Sequence, residues 1–514
     1  MTMPAPRATF RLLAALLIPA YAYFFQGGGW NQNSRFALTR ALVEQHTVRI
    51  DDTVRWQGHF VTGDRAPRAG HLYSDKAPGA SMVAAPAVAL ASLVAPSPRT
   101  GPSLARLAWV ATFAAASLPT VACALLLALA ALRLGASRTA SFAGALCLGL
   151  GTPAWTQATL LFGHALSSAC LFAAFTAALA LRTDGGSIRD RRLGWCVGIT
   201  AGVAVLTEFP AAVPACVLAV YALVAAGSAE RRREVFPRVV AGALCIAFVL
   251  GAYDLAAFGA PTRLGYGTVA GFDGMQEGVL GITWPKPTVL WELLGGSYRG
   301  LFRIAPVFVA APAGLWALAK APASRAPAIV AAVVAAWYVL FNAAYHYWDG
   351  GYSFGPRHML PAMPFVTLGL VALWDRASLG KRALLGALAA WGFATCLAAV
   401  AVDAQPPESE HAPLSHYLAP SFVAGRLARN AQSIVAAEPA ERRDPAEHAT
   451  NLGEVLGLHG LATLMPLFAL WAGALAAWGP ACLAELRDVT VPAAAVVASS
   501  APKRAHRRRS RRSA

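Results

Sequence analysis

The chain has 514 residues, of which 57% are hydrophobic and only 13% are charged. Soluble domains carry about a quarter charged residues, so this composition excludes a soluble globular enzyme. The 43 Lys and Arg outnumber the 26 Asp and Glu and give a formal net charge of +17, which in a membrane protein is expected to lie mostly on the cytoplasmic side.

Long apolar segments recur along the chain from its beginning. About 20 apolar residues cross the roughly 30 Å hydrocarbon core of a bilayer, so such segments predict transmembrane helices. The predicted spans are residues 10–26, 107–132, 140–158, 165–181, 193–207, 209–227, 239–257, 302–319, 326–344, 359–374, 383–402 and 459–479. We therefore predict an all-α polytopic membrane protein with about twelve transmembrane helices and interfacial helices in its first outer loop.

Residues 80–95 form a further apolar segment, which is bracketed by Pro78 and Pro96 and contains Pro86. It is either a thirteenth span or an interfacial or re-entrant helix. If it does not cross and the amino terminus is cytoplasmic, the excess of Lys and Arg, including the basic tail at 503–512, falls on the cytoplasmic side. We therefore predict a non-crossing helix, with both termini in the cytoplasm.

This topology divides the chain into four parts. Residues 1–402 form a transmembrane module with a first outer loop at 27–106, residues 403–458 a further outer loop, residues 459–479 the last transmembrane helix, and residues 480–514 a basic cytoplasmic tail that is predicted to be disordered. The first span resembles a cleavable secretory signal, but its apolar run continues past Ala20-Tyr21-Ala22, which favours a retained anchor. The eight cysteines lie in or beside apolar segments and indicate neither a disulfide framework nor a metal site.

The first outer loop begins with an amphipathic segment. The pattern of residues 30–43 predicts a helix with Asn33 or Ser34 as its cap. This helix includes Arg35 and is expected to lie along the membrane surface. Further on, Asp51 and Asp52 are the one adjacent acidic pair in the outer loops, which makes them the best candidates for a general base. The alternative for this pair is a solvated turn or a helix cap.

A second polar stretch, residues 71–79, directly precedes the segment 80–95. It contains Tyr73, Asp75 and Lys76. A lysine at this position can meet the phosphate of a membrane lipid, and the tyrosine and the carboxylate beside it are candidates to line a substrate cavity.

The outer segment 345–361 leads into the predicted span 359–374. Arg357 stands at the mouth of that helix, where its guanidinium offers two parallel donors to a phosphate and the helix amino terminus adds positive potential. A side chain that merely snorkels to water is the alternative. Trp348, Asp349 and His358 flank this arginine and are further candidates for a substrate cavity.

The remaining outer loops add four candidates. Trp284 and Arg299 belong to a loop, 258–301, whose mixture of rings and charges is typical of a sugar-binding surface, although an interfacial aromatic belt has the same composition. His164 lies in a turn between two spans, and Glu208 lies in another. Either side chain can line a cavity on the outer face, while a hydrogen-bonded turn residue is the alternative.

The sequence resembles the GT-C membrane glycosyltransferases in four features. These are an initial span, a long outer loop with a surface helix, the Lys76-Ala77-Pro78 stretch, and Gly355-Pro356-Arg357-His358 before Pro361. Within that class it is most similar to the lipid A aminoarabinose transferases and the protein mannosyltransferases. The resemblance implies transfer of a sugar from a polyprenyl-phosphate donor to an extracytoplasmic acceptor by inverting displacement, in a bacterial plasma membrane.

The resemblance also implies roles for individual residues. Lys76 and Arg357, helped by Arg299 and His358, are expected to bind the donor phosphate, and Asp51 or Asp52 to remove the acceptor proton. No cofactor is required, and a divalent metal is not supported because the chain has no DxD motif. The expected partners are a polyprenyl-phosphate-linked sugar and membrane lipid, with no nucleic acid, and the sequence does not define an oligomeric state.

One departure from the GT-C pattern leaves a second hypothesis open. Where members of the class commonly carry Asp-Glu shortly before the arginine and the aromatic residue of the surface helix, this chain has Gln32-Asn33 before Ser34-Arg35-Phe36, and amides cannot act as general bases. The alternative function is therefore a transporter of lipid-linked saccharides or a non-catalytic glycolipid-binding subunit.

Overall fold

The computed structural model describes residues 7–95, 99–183, 186–267, 272–439 and 448–487. The basic segment of the predicted tail, 503–512, lies outside these described residues. Residues 480–487 of the predicted tail are helical and continue the last long helix.

Helices make up nearly all of the regular structure in the described part of the chain. They are α1 (Arg7–Ala22), α2 (Trp30–Arg40), α3 (Gly79–Ser92), α4 (Gly101–Thr112), α5 (Leu118–Arg133), α6 (Arg138–Leu150), α7 (Ala154–Ala158), α8 (Gly163–Ala180), α9 (Ser187–Thr207), α10 (Ala212–Ala226), α11 (Ala229–Phe258), α12 (Pro287–Leu294), α13 (Leu301–Ile304), α14 (Ala311–Lys320), α15 (Arg325–Ala344), α16 (Met363–Arg376), α17 (Leu379–Val402), α18 (Ala419–Val423), α19 (Leu452–Val455) and α20 (Met465–Arg487).

Several of these helices are joined end to end by a single turn of 3₁₀ or π geometry. Such turns produce the continuous rods Gly101–Arg133, Phe209–Ala226, Pro306–Lys320, Arg357–Arg376 and Gly460–Arg487. Prolines at the first positions of these turns or helices fit this arrangement, because a helix amino terminus does not need the missing N–H.

The chain is a multi-pass helical membrane protein, as the composition predicted. Eight helices in the described part are long and apolar enough to cross a membrane: Gly101–Arg133, Gly163–Ala180, Phe209–Ala226, Ala229–Phe258, Arg325–Ala344, Arg357–Arg376, Leu379–Val402 and Gly460–Arg487. The other four predicted spans are also helical, at α1, α6, α9 and α14, but these helices are shorter or more polar. The predicted total of twelve spans therefore stays a prediction.

Helix α8 lies at the centre of the bundle and is buried on almost every side, whereas α11 and α20 are mostly exposed at the periphery. Small residues let neighbouring helices approach closely. A Cβ on Gly314 would lie 1.8 Å from the carbonyl oxygen of Gly369, and a Cβ on Gly198 would lie 2.2 Å from that of Val239. The pairs α14/α16 and α9/α11 thus pack backbone against backbone.

The first and last long helices are neighbours. The Glu485 carboxylate near the end of α20 accepts hydrogen bonds from the backbone N–H groups of Ala8 and Thr9, each at 2.9 Å. An acidic side chain is stabilised by the positive end of a helix dipole. The beginning of α1 and the end of α20 therefore lie at the same end of the bundle, while their side of the membrane remains a prediction.

Three short antiparallel strand pairs lie in the loops of the part of the chain that the structure describes. Strand β1 (Phe24–Gln26) pairs with β6 (Ala449–Asn451), β2 (Arg55–Trp56) with β3 (His59–Phe60), and β4 (Ala66–Arg68) with β5 (His71–Tyr73). The β1/β6 pair ties the end of α1 to the loop that precedes α20.

The two helices of the first outer loop differ from expectation in detail. Helix α2 begins at Trp30, ahead of the predicted caps Asn33 and Ser34, and it is largely buried by other parts of the protein instead of lying on the membrane surface. Helix α3, which contains the segment predicted not to cross, has 14 residues and is about 21 Å long, shorter than the roughly 30 Å of a hydrocarbon core.

Candidate functional site

A cavity of about 460 Å³ opens among the outer loops. Its walls come from the start of α2, the β4/β5 region, the turns at 162–164 and 208, the loop 266–275, the segment 345–358 and the loops at 405–408 and 432–439. The volume lies within the range of small-molecule binding sites. The fold thus brings polar residues from most of the length of the chain to one place.

One wall is built by the β4/β5 hairpin, which places two aspartates opposite each other. Ala66 pairs with Tyr73, so Asp64 and Asp75 each lie two residues beyond this pair and share one face of the ladder. The turn between the strands is tight because Ala69 and Gly70 both adopt positive φ, at 48° and 79°. A hairpin with this register therefore brings the two carboxylates together.

Lys76 lies between these two carboxylates. Its Nζ is 2.9 Å from Asp64 Oδ2 and 2.8 Å from Asp75 Oδ2. Burial raises the pKa of Asp75 to about 6, although the Lys76 charge opposes the shift. Burial also acts to lower the pKa of Lys76, but the attraction of the two carboxylates outweighs it and raises that pKa. The lysine is therefore charged and already neutralised by acids of the protein.

At the base of the cavity Arg35 forms a buried ion pair with Glu208, at 2.7 Å from Nη2 to Oε1. The same guanidinium donates to Asn31 Oδ1 and to the carbonyl oxygen of Ala77, each at 2.9 Å. Burial raises the pKa of Glu208, and the Arg35 charge opposes the shift. The donors of Arg35 are thus occupied by protein groups. The arginine mainly connects α2 to the residues that precede α3 and follow α9, and it is not free to bind a ligand.

His164 and Gly163 adjoin this ion pair at the start of α8. The His164 Nδ1 lies 3.7 Å from Glu208 Oε1. A Cβ at position 163 would lie 2.2 Å from the same oxygen, so only glycine permits this close approach. The turn that contains His164 thus contacts the Glu208 carboxylate.

Arg357 is the cation on the opposite wall, at the start of the rod Arg357–Arg376. Its guanidinium carbon lies 4.7 Å from the centroid of the Phe162 ring. Among the described residues it forms no ion pair, and its Nε is buried without a hydrogen-bond partner. Arg357 is therefore a cavity cation that Asp349, Asp64 and Glu208 attract from a distance but that no acidic side chain of the described chain contacts, so its donors are available to a phosphate.

A glycine turn gives Arg357 its room. Gly350 adopts φ +74°, and a Cβ there would lie 2.9 Å from the arginine Nε. Arg299 fixes the backbone of residues 349–353. Its guanidinium donates to the carbonyl oxygens of Asp349, Gly351 and Ser353. Arg299 is fully buried and fixes this loop, so it does not contact the cavity.

Two further polar nitrogens of cavity residues lack partners in the described structure. They are Gln32 Nε2 and His358 Nε2. The His358 ring packs edge-on against His164 and Tyr345, at centroid distances of 5.0 and 5.4 Å. Buried polar atoms in native proteins usually have a partner, so these nitrogens, like Arg357 Nε, are available to a polar ligand or to water.

Aromatic side chains complete the cavity. Tyr266, Phe272, Tyr345 and Tyr347 line it, with Phe272 and Tyr347 edge to face at 5.5 Å. The Lys76 Nζ lies 5.8 Å from the centroid of Tyr266 and 5.7 Å from that of Phe272. Such walls offer apolar faces together with polar tips, a combination that fits a ligand with both kinds of surface.

More than half of the residues predicted from the sequence meet in this cavity. They are Arg35, Asp75, Lys76, His164, Asp349, Arg357 and His358. These residues come from four separate segments of the chain, which the fold brings together around one cavity. Their roles in binding or catalysis stay predictions.

The predicted general bases Asp51 and Asp52 are not brought to the cavity. Asp51 accepts hydrogen bonds from His71 Nδ1, at 3.0 Å, and from the backbone N–H of Leu72, at 2.8 Å. Asp52 is exposed and accepts a bond from Gln45 Nε2 at 3.3 Å. The pair thus corresponds to the alternative that the sequence left open, a polar turn that supports the β5 strand.

Three predicted aromatic residues also lie elsewhere. Trp284 is 86% exposed, Tyr73 is buried against Phe258 at a centroid distance of 5.8 Å, and Trp348 packs edge-on against Tyr298 at 6.4 Å. Aromatic composition alone did not distinguish rings of the cavity from rings of the core or of the surface.

The sequence analysis missed Asp64 and the contribution of the last outer loop. Asp64 is a lone acid, and the signal that could have found it is the Ala69-Gly70 turn, which relates it to Asp75 by the register of a hairpin. Gln405, Glu408 and Gln432 from the loop after α17 also line the cavity. Asn33, in contrast, donates to the carbonyl oxygens of Val61 and Ser433 and holds that loop in place.

No group of three or more His, Cys, Asp or Glu side chains within the described ranges is placed to hold a metal ion. This arrangement does not test the expectation that the protein needs no cofactor. The cations that the cavity itself supplies are Arg35, Lys76 and Arg357.

Comparison with known proteins finds similarity at the level of solved structures. The chain matches ArnT from Cupriavidus metallidurans bound to undecaprenyl phosphate, with 16% identity, 92% of this chain and 75% of that chain covered and a TM-score of 0.46. The apo state of the same ArnT matches with 16% identity, 92% and 74% coverage and a TM-score of 0.47.

A third similar structure is the archaeal oligosaccharyltransferase AglB from Archaeoglobus fulgidus, in complex with an inhibitory peptide and a dolichol-phosphate. It shares 12% identity over 85% of this chain and 60% of that chain, with a TM-score of 0.45. No protein-family model and no curated protein sequence matches the chain. Identities of 12 to 16% do not transfer the role of any residue to this chain.

Proposed function

We propose that the protein is a GT-C-type membrane glycosyltransferase that moves a sugar from a polyprenyl-phosphate donor to an acceptor on the extracytoplasmic side of a bacterial plasma membrane. The observation that supports this proposal best is that two opposite walls of the cavity differ in their chemistry. An arginine without an acidic partner, Arg357, faces a wall where two carboxylates flank Lys76. A transfer between a phosphate donor and a hydroxyl acceptor needs one site of each kind.

The donor phosphate is assigned to Arg357. As the bond between the sugar and the phosphate breaks, negative charge grows on the leaving phosphate, and a guanidinium can bind two of its oxygens. The site lies at the beginning of a transmembrane rod, where a lipid-linked phosphate reaches the protein with its tail still in the membrane. His358 and Gln32 offer their unpartnered nitrogens to the same ligand.

The acceptor proton is assigned to Asp75. A general base works best when its pKa lies near the operating pH, and burial raises the pKa of Asp75 to about 6. Lys76 keeps this carboxylate ionised at neutral pH, and Asp64 fixes the lysine from the other side. Asp75 therefore takes the role that the sequence assigned to Asp51 or Asp52, because those residues lie outside the cavity.

The reaction then proceeds as a direct displacement. The acceptor hydroxyl attacks the anomeric carbon as its proton passes to Asp75, and the bond to the phosphate oxygen breaks toward Arg357. Attack from the side opposite the leaving phosphate inverts the anomeric configuration. The aromatic wall formed by Tyr266, Phe272 and Tyr347 is placed to pack against the sugar between the two poles.

A specific observation also favours the alternative, a carrier or a non-catalytic glycolipid-binding subunit. Gln32 and Asn33 replace the acidic pair that the GT-C resemblance leads one to expect, and Asn33 is occupied with backbone carbonyls. In such a protein Arg357 would still bind the lipid phosphate, but Asp75 would serve only to hold Lys76.

The deciding experiment follows release of polyprenyl phosphate from a panel of labelled polyprenyl-phosphate sugars, with the full chain in proteoliposomes. The variants are Asp75→Asn and Arg357→Gln, and the matched control is Asp52→Asn, an exposed acid outside the cavity. We expect release with at least one donor, lost in Asp75→Asn and unchanged in Asp52→Asn. Donor binding without release in the unmodified protein would contradict the enzyme and favour the carrier.

A further inference from the structure

A second cavity of about 450 Å³ lies toward the other end of the rod that begins at Arg357. It is formed between α1, α6, α16, α17 and α20, and all of its lining side chains are apolar, among them Leu370, Trp374, Leu385 and Phe393. Trp374 is 17 residues beyond Arg357, about 25 Å along a helix. This apolar groove is therefore separate from the polar site among the outer loops.

The end of the groove near Trp374 is bordered by cations. Arg382 Nε donates to the carbonyl oxygen of Trp374 at 3.0 Å, and Arg376 Nη1 donates to that of Ala372 at 2.9 Å. Lys381 is exposed beside them. None of these three side chains pairs with a carboxylate in the part of the chain that the structure describes.

The acid nearest to this rim is engaged elsewhere. The Asp375 carboxylate caps the beginning of α6, where it accepts a bond from the backbone N–H of Ser137 at 2.8 Å. The helix-terminal carbonyls occupy only some of the guanidinium donors of Arg376 and Arg382, since an arginine has five N–H groups. Guanidinium donors without a carboxylate partner thus lie beside the end of the apolar groove near Trp374.

We propose that this groove binds an anionic glycerophospholipid, with one acyl chain among the apolar residues and the phosphate at Arg376 and Arg382. An apolar cavity open to a bilayer is filled by hydrocarbon, and a basic rim selects a negatively charged headgroup over a zwitterionic one. The occupant is a lipid of the surrounding membrane and not the sugar donor, because its phosphate site lies at the opposite end of the rod from Arg357. This inference does not depend on the proposed reaction.

The headgroup contact is tested with the full chain in nanodiscs that contain dioleoyl-phosphatidylglycerol and dioleoyl-phosphatidylcholine, by native mass spectrometry of the lipids that remain bound. We expect a preference for phosphatidylglycerol, reduced by roughly 30-fold in the double variant Arg376→Gln/Arg382→Gln, since each basic residue near an anionic lipid is worth about fivefold in binding. The matched control Lys320→Gln/Arg325→Gln removes two charges, from the last residue of α14 and the first residue of α15, and should retain the preference.

The acyl-chain contact is tested by filling the groove. A Cβ on Gly386, which lines the groove, or on Gly380, which does not, meets no atom within 4 Å, so in Gly386→Leu and Gly380→Leu the new side chain starts in open space. Leucine also favours a helix more than glycine does, and both variants are expected to fold. Gly386→Leu should lose bound phosphatidylglycerol, whereas Gly380→Leu should keep it.

Two results would overturn the proposal. One is retention of phosphatidylglycerol in Gly386→Leu at the level of Gly380→Leu. The other is displacement of the bound phosphatidylglycerol from the unmodified protein by undecaprenyl phosphate at the same concentration, which would assign the groove to a polyprenyl lipid.

Discussion

Lys76 and Arg357 carry the same charge and line the same cavity, but their surroundings differ. Lys76 is held at 2.9 and 2.8 Å by two carboxylates, while Arg357 packs on Phe162 and has no acidic partner among the described residues. A cation that carboxylates of the protein contact directly mainly orders its own neighbours, whereas a cation without an ion pair has donors available to a ligand. The comparison therefore separates a catalytic wall from a phosphate wall, although the sequence presented the two cations as equivalent.

The largest expected effect comes from removing the charge of Arg357, which forms no ion pair among the described residues. Arg357→Gln should lower kcat/KM by about 10²–10³-fold, because a donor aimed at developing negative charge is worth that much in the transition state. Donor binding should weaken as well. The control Arg303→Gln removes an arginine that donates to the Gly295 carbonyl outside the cavity and should leave both quantities unchanged. Unchanged donor binding in Arg357→Gln would contradict the assignment of the phosphate wall.

Removal of Lys76 should act on the chemical step and not on donor binding. In Lys76→Met the carboxylates of Asp64 and Asp75 lose the cation between them, and their repulsion favours protonation of one of them. We expect kcat to fall by about 10²-fold at neutral pH with KM for the donor nearly unchanged. Adding Asp64→Asn to this variant removes the repulsion and should restore part of kcat. A large rise in KM instead would return Lys76 to the phosphate site.

The pH dependence of the reaction tests the role of Asp75 beside Lys76, with a smaller expected effect than the two preceding variants. Burial raises the pKa of Asp75 to about 6, and the base acts only when ionised, so activity should fall as the pH drops through about 6. The Asp64 carboxylate contributes to this upward shift. The acid limb of the rate profile should therefore move to lower pH in Asp64→Asn and stay in place in Asp52→Asn. An unchanged limb in Asp64→Asn would count against Asp75 as the base.

The smallest predicted effect concerns the glycine turn beside Arg357. In Gly350→Ala the new Cβ would lie 2.9 Å from the arginine Nε at a φ of +74°. Gly58→Ala places a Cβ at a similar φ of +84°, where it meets no atom within 4 Å. Both variants share the backbone strain, on the order of 1 kcal/mol, but only Gly350→Ala should weaken donor binding, by several-fold. Equal donor affinities in the two variants would show that the turn does not position Arg357.

Much of the architecture was predictable because membrane helices are defined by local composition. Each of the twelve predicted spans contains a helix, although the first helix ends at Ala22, before the strand Phe24–Gln26, and the segment 80–95 contains the 14-residue helix α3. Arg357 and Lys76 were recognisable because each stands in polar sequence directly before an apolar helix. The partners of these cations were not recognisable, since Asp64 reaches Lys76 through the register of a hairpin and Glu208 reaches Arg35 across 173 positions of the chain.

The sequence by itself determined that the protein resides in a membrane, where its helices lie, and which loops gather polar and aromatic residues, because these features follow from the length and composition of short segments. Only the tertiary structure decided which charges are free. It buried Arg299 behind the glycine turn, turned Asp51 toward His71, and set Asp75 opposite Asp64 around one lysine. Whether a charge is available to a ligand depends on the neighbours that folding brings within a few ångströms, and local sequence does not contain that information.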